Sequence, residues 1–276
     1  MDGKKLKNIV IIILALVNLF LLSIVLLDRG EARARQSELR ENTLSYMRRS
    51  GVTPGSQLEL ELDIPGQFSA RRDVTLEFEA AQNLLGEVEL AEPGGSVRVY
   101  SGEFGNATFW GGGNFELHFT DGPAESLDLE KQTRELLFKL GMYASREVLV
   151  TDDGNGGKTV TALCTVNSLP VWRAEISVSF LDGYAVSITG YRPFDTVSAP
   201  DVSESLDPVS IITRFLEYAR TEGLEPGEIL ELEPGYDVTE TASGESYFDP
   251  VWRVSTDIGD FYLSGLTGRY FRSGNL

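Results

Sequence analysis

Pro170-Val171-Trp172-Arg173 and Pro250-Val251-Trp252-Arg253 are the same four residues written twice, 80 positions apart. Each phrase opens an alternating run that turns and closes on Thr-Gly: AEISVSFLDGYAVSITG to Gly190, and VSTDIGDFYLSGLTG to Gly268. Period-two alternation marks a strand with one buried face, so each phrase begins a β-hairpin, and the two hairpins differ by two residues in length. Pro170, Trp172, Gly190, Pro250, Trp252 and Gly268 are the positions that define this repeat. A Trp buries so much area that both rings are expected in the core, with a peptide groove as the competing place for them.

Working outward, an amphipathic helix precedes each hairpin. In the first, Leu129, Leu136, Leu137 and Leu140 share a face, and Gly141 stands at the carboxyl cap. In the second, Asp207 and Pro208 form a cap and a first-turn proline, and Ile211, Ile212, Phe215, Leu216 and Ala219 make the apolar stripe before Gly223. Between helix and hairpin lies a further β pair. In the first copy Glu147–Thr151 and Lys158–Val166 flank the turn Asp152–Gly157; in the second Glu228–Glu233 precede a long polar excursion to Tyr247. The expected unit is α-β-β-β-β, a helix on one face of a small antiparallel sheet, giving an α+β fold with units at 122–198 and 199–276. Residues 51–121 form a third α+β region: a helix from Asp73 to Leu85, then strands VRVYSG, ATFWG and NFELHF, with Leu58–Ile64 as one more strand.

Ahead of these, Ile9–Leu27 runs 19 residues without a charge, which at about 1.5 Å per residue matches the roughly 30 Å hydrocarbon core of a bilayer. A transmembrane helix at 9–27 follows. Lys4, Lys5 and Lys7 favour a cytoplasmic tail at 1–8 and an extracytoplasmic remainder. A cleaved signal peptide is the rival reading, since Ala32-Arg33-Ala34 has the small-x-small form, but the run exceeds the usual 7–15-residue apolar region by roughly four residues or more. Glu31–Ser50 has few apolar residues and no helix breaker up to Gly51, so 28–50 is expected to be a juxtamembrane helix or stalk. Within the span Ala15, Asn18, Leu22 and Val25 lie along one stripe, a candidate contact with a partner helix because an amide in hydrocarbon gains by bonding to another helix; a merely tolerated Asn is the alternative.

Composition removes much chemistry. The net charge of −18 has the wrong sign for nucleic acid. One cysteine, Cys164, permits no internal disulfide and no multi-cysteine metal site, and one histidine, His118, excludes a two-histidine motif. Asp152–Gly157 lacks the spacing and the distant Glu of a calcium loop and reads as a tight turn. His118 reads as a strand histidine and Cys164, in TALCTV, as a small buried hydrophobe. No nucleophile has an evident partner, so no catalytic, cofactor or metal residue is expected, and a non-enzymatic protein is.

The layout resembles the YycH/YycI family, and within it the YycI branch. The residues that carry the likeness are the opening MDGKKLKNIVIIILALVNLFLL, the helix closing in Tyr46–Val52, the apolar helix Phe78–Gly86, the phrase Gly112–Phe115 and the two PVWR hairpins. The hairpins also look like PepSY-type modules, Trp252–Gly268 more closely. The resemblance implies a membrane-anchored regulator of a cell-envelope two-component sensor histidine kinase. It would act through transmembrane and extracytoplasmic contacts to tune cell-wall metabolism, with that kinase and a sister YycH-type regulator as partners and no cofactor or small-molecule substrate. Asn18 and its stripe would face the kinase. A PepSY-like inhibitor of, or binding module for, a cell-wall peptidase or hydrolase is the alternative.

Overall fold

The computed structural model describes residues 14, 17, 18, 38–120, 122, 128–152, 154, 156–192, 195–202, 204–240 and 245–271. They belong to two compact units, Met1–Pro54 and Gly55–Leu276. In the first unit residues 14, 17 and 18 are helical, 38–49 form helix α1, and Thr53–Pro54 form strand β1. Helix α1 ends as a glycine-capped helix should: Gly51 takes φ 81°, and the Gly51 and Val52 amides donate to the Arg48 and Met47 carbonyls at 3.1 and 3.0 Å. No helix among the described residues is long and apolar enough to cross a membrane. The tail 1–8 and most of the expected span 9–27 lie outside those residues, as do 28–37 of the stalk.

The second unit is α+β. It runs β2 (Phe68–Arg72), α2 (Val74–Leu85), β3 (Val88–Gly94), β4 (Val97–Gly102), β5 (Gly105–Phe109), β6 (Asn114–Phe119), α3 (Leu129–Lys139), β7 (Tyr143–Asp152), β8 (Gly157–Val166), β9 (Leu169–Leu181), β10 (Tyr184–Tyr191) and β11 (Asp195–Val197). It continues with α4 (Pro208–Glu222), β12 (Glu228–Glu240), β13 (Glu245–Thr256), β14 (Gly259–Ser264) and β15 (Tyr270–Phe271). Strands β3-β4-β5-β6-β10-β9-β8-β7 form one antiparallel sheet in that order, with β7 and β3 at its edges. Strands β11-β2-β13-β12 form a second, in which β14 also pairs with β13. A single parallel rung, Val171 to Tyr236, joins them through β9 and β12.

Helices α2 and α3 cover one face of the first sheet. Leu84, Leu85, Leu136, Leu137 and Leu140 pack there against Phe109, Phe115, Leu117, Ile176, Val178 and Ile188 in one buried cluster, each large side chain contributing about 1.5–3 kcal/mol. The caps read from sequence are present. Asp128, Asp207 and Asp73 accept amide hydrogens of the first turns of α3, α4 and α2, and Gly141 and Gly223 take positive φ at the carboxyl ends of α3 and α4. Glu77, on α2 and nearly fully buried, holds both its oxygens against Arg72 of β2, whose guanidinium also reaches the Ser96 and Phe109 carbonyls. Removing either partner of such a buried pair would strand the other charge.

Two expectations change. Leu58–Ile64 joins no ladder: Leu58, Leu60 and Leu62 do turn inward while Glu59, Glu61 and Asp63 face water, so the period-two pattern reports an extended segment without strand partners. The polar excursion between Glu233 and Tyr247 is mostly ladder. Strand β12 continues to Glu240, β13 begins at Glu245, and Glu240 pairs with Ser246. Helix α4 is followed by the antiparallel strands β12, β13 and β14 and the two-residue β15, where α3 is followed by β7 to β10 and the three-residue β11.

Candidate functional site

Strand β13 is regular through its phrase. Trp252 pairs with Pro234 on one side and Leu263 on the other, and Arg253 with Glu233 and Tyr262. Phe215 of α4 meets Phe261 of β14 at 5.1 Å between ring centres, so the face carrying Phe261, Leu263 and Trp252 is the one α4 covers. Arg253, Glu231, Glu233 and Tyr262 consequently share the opposite face.

Strand β9 is irregular at the same phrase. Its ladder to β8 jumps from Leu163–Glu175 to Thr165–Pro170, three residues longer on β9 than on β8. An odd insertion reverses which side chains face the core. Val171 and Ala174 both join the buried cluster beneath α2 and α3, and Trp172 is thrown to the other side. There it crosses the backbone of Gly235, where a Cβ would stand 2.4 Å from its Nε1. Its Nε1 donates to the Val251 carbonyl at 3.5 Å, and its ring meets Tyr262 edge-on at 5.5 Å. The Arg253 guanidinium lies 5.3 Å from the ring centre, a cation–π contact.

A cleft of about 770 Å³ opens beside this stack, between the start of β7 and the β12–β13 face, lined by Tyr143–Glu147, Leu163, Thr165, Asn167, Ser168, Pro170, Trp172, Glu231, Glu233 and Arg253. Arg253 Nη2 donates to Glu233 Oε2 at 2.6 Å and to Glu231 Oε2 at 3.4 Å, and its Nη1 lies 3.6 Å from Asp260 Oδ2. Burial lowers the Arg253 pKa, but Glu233, Asp260, Glu147 and Glu231 together hold it above its ordinary value. Burial also pushes the Glu233 carboxyl up, with help from Glu231 and Glu147 and against the attraction of Arg253. The hydroxyls of Ser145 and Thr165 donate to the Glu147 and Tyr143 carbonyls at 2.9 and 3.1 Å. A second cavity of about 420 Å³ lies on the other side of Trp172, lined by Trp110, Asn114, Glu116, Arg173, Glu175 and neighbouring strand residues. Arg173 is gripped by both carboxylate oxygens of Asp237.

The repeat-defining residues thus separate. Both rings are buried as expected, Trp252 at 0% and Trp172 at 6% exposure, and Trp172 also walls the cleft; Pro170 and Pro250 are both buried. Gly190 lies inside β10, where a Cβ would stand 2.9 Å from the Glu175 carbonyl, whereas Gly268 closes a turn at φ +68. Asn18 is helical and exposed; Ala15, Leu22 and Val25 lie outside the described residues. His118 projects from β6 and contacts Glu116 at 2.6 Å. Cys164 is buried, its thiol pushed up to about 12 by desolvation, as befits a small core residue. No group of three or more His, Cys, Asp or Glu among the described residues is placed to hold a metal ion.

Sequence reasoning missed Glu231, Glu233, Asp260 and Gly235. The alternation of Glu231 and Glu233 along a strand did place both on one face; what the sequence lacked was the pairing of β12 with β13 that brings Arg253 opposite them.

No family model matches the chain, and no curated protein does. Among solved structures it is similar to an uncharacterized protein from Eubacterium rectale, at 10% identity and a TM-score of 0.48 over 80% of this chain and 89% of that one. It is also similar to the YpeB C-terminal domain of Bacillus megaterium, at 10% identity and a TM-score of 0.37 over 74% of this chain and 96% of that one. At such scores neither likeness defines the fold.

Proposed function

We propose that this chain is a non-enzymatic, single-pass regulator of the bacterial cell membrane, with its lysine-bearing end in the cytoplasm and its acidic α+β body outside. In this reading, which follows the resemblance to the YycI branch of the YycH/YycI family, it binds an envelope two-component sensor histidine kinase and a sister YycH-type regulator, and tunes cell-wall metabolism by contact. The observation that carries the proposal is the uncharged run Ile9–Leu27 behind Lys4, Lys5 and Lys7. The arrangement around α4, a helix on one face of three antiparallel strands, supports the PepSY-like part of it. The cleft supports contact over chemistry, because its Ser145 and Thr165 hydroxyls and Arg253 are already engaged by backbone carbonyls and carboxylates.

A regulator of this kind needs to bias a two-state kinase by only about 1–3 kcal/mol, within reach of an interhelical amide bond of about 0.6–2 kcal/mol plus local packing. The test is Asn18→Leu in the full-length chain, read by co-purification with the kinase from crosslinked membranes and by output of the kinase's target promoter. Association is expected to fall by about threefold or more. Unchanged association and output would remove the transmembrane contact.

A further inference from the structure

The two cavities on either side of Trp172 are continuous in chemistry. Glu147, Glu231 and Glu233 line one, and Glu116 and Glu175 the other. Of the three arginines in these walls, Arg253 is held by Glu231 and Glu233, Arg173 is held by Asp237, and Arg146 is exposed on β7, which leaves each cavity with one more carboxylate than arginine, three against two and two against one. Both cavities sit on the face of the first sheet opposite α2 and α3, and the first is bounded by β7, which among the described residues pairs with β8 alone and so is an edge strand. The bulge at Ser145–Glu147 in that edge is fixed, since Arg134 of α3 donates to the Ser145 and Arg146 carbonyls at 2.9 Å each. Beyond it Leu149 and Val150 are exposed on this edge strand, which is paired with β8 on its inner side.

We infer that this face, from β7 across Trp172, binds an extended, lysine- or arginine-bearing segment of a partner protein. The open edge of β7 would supply main-chain pairing. The acidic walls would receive the cationic side chains, and Trp172 and Tyr143 would flank their methylene stems. Charge decides the sign of the partner: Glu147, Glu231 and Glu233 line the first cavity and Glu116 and Glu175 the second, so the walls attract an incoming cation and repel an anion. The inference rests on the reading of the body as a protein-binding module and specifies which kind of segment it takes.

The probe is a fluorescein-labelled peptide alternating lysine with threonine and valine, beside its glutamate counterpart, titrated against the full-length chain in detergent by fluorescence polarisation. The variant is Glu147→Lys/Glu175→Lys, which reverses two exposed charges, one in each cavity, and leaves Glu231 and Glu233, the hydrogen-bond partners of Arg253, in place. The lysine peptide is expected to bind, and to lose about tenfold or more in affinity both in the double variant and on going from about 50 to about 500 mM salt. The glutamate peptide is expected not to bind. Equal binding of the two peptides, failure of the lysine peptide to bind, or binding that the double variant leaves unchanged would overturn the inference. Membrane association with the kinase is read separately through Asn18→Leu, so loss of the peptide site leaves that measurement intact.

Discussion

Trp172 and Trp252 sit in identical phrases, each followed by an arginine that meets a carboxylate on β12, and both rings are buried, yet one lies beneath α4 and the other forms the wall of a cleft. In β13 the phrase is paired rung by rung on both sides, so strict alternation holds: the Trp goes under α4 and the Arg faces the cleft. In β9 the phrase spans the place where the strand leaves β10, skips three residues against β8 and touches β12 at one rung. The alternation slips there, and the Trp turns toward the cleft and covers Gly235. The same four residues thus serve as core in a continuous ladder and as cavity wall at a ladder's break. What a strand residue does is fixed by its neighbours' register as much as by its own chemistry.

This contrast predicts unequal costs. Trp252→Ala removes a fully buried ring and is expected to cost about 3–5 kcal/mol. Trp172→Ala, at a cleft wall that water can refill, is expected to cost clearly less. Chemical denaturation of both variants checks this, and equal losses would mean that the two sites are equivalent after all. Next in size is Gly235→Ala, expected to destabilise by about 1–3 kcal/mol because the new methyl meets Trp172 Nε1 at 2.4 Å and the Pro170 carbonyl at 2.7 Å. Combined with Trp172→Ala, part of that loss should vanish, leaving the share due to Pro170. Strict additivity in the double-mutant cycle would show that the ring does not press on Gly235.

The smallest effect belongs to the arginine partners. Glu233 titrates above the ordinary glutamate range because it is buried beside Glu231 and Glu147, despite Arg253. A carboxyl raised in the folded state contributes stability that is full below its unfolded pKa and is lost as pH rises through the folded one. Thermal unfolding of wild type and Glu233→Gln across that window should show wild type losing ground to the variant as pH rises. A wild-type advantage that grows with pH would instead mean that attraction to Arg253 dominates.

Much of the local structure was legible. Asp207-Pro208 and Gly223 bracket α4, Leu136, Leu137 and Leu140 mark the face that α3 buries, and VRVYSG and NFELHF are strands β4 and β6, because caps and periodicity act over a few residues. Leu58–Ile64 misled because alternation reports which side chains turn inward and is silent on whether a neighbouring strand supplies hydrogen bonds. The extent of β12 was hidden since Pro234 and Gly235 read as a turn; Gly235 is needed there for the room it leaves Trp172, a tertiary reason with no local trace. The cleft was the least legible part. Its residues come from β7, β8, β9, β12 and β13, and only the half made by Glu231 and Glu233 carried a pattern.

Strand β2 carries one more consequence. Its rungs are to β11 and to Glu245–Phe248 of β13, and Arg71 and Glu245 stand 174 residues apart. While the polypeptide is still being synthesised, Phe68–Arg72 therefore has β11 to pair with only after Val197 has been made, and its β13 partner only after Phe248. Closing so long a loop makes docking of β2 onto β13 a late event, and until then the Phe68 ring, buried in the finished fold, stays in contact with water.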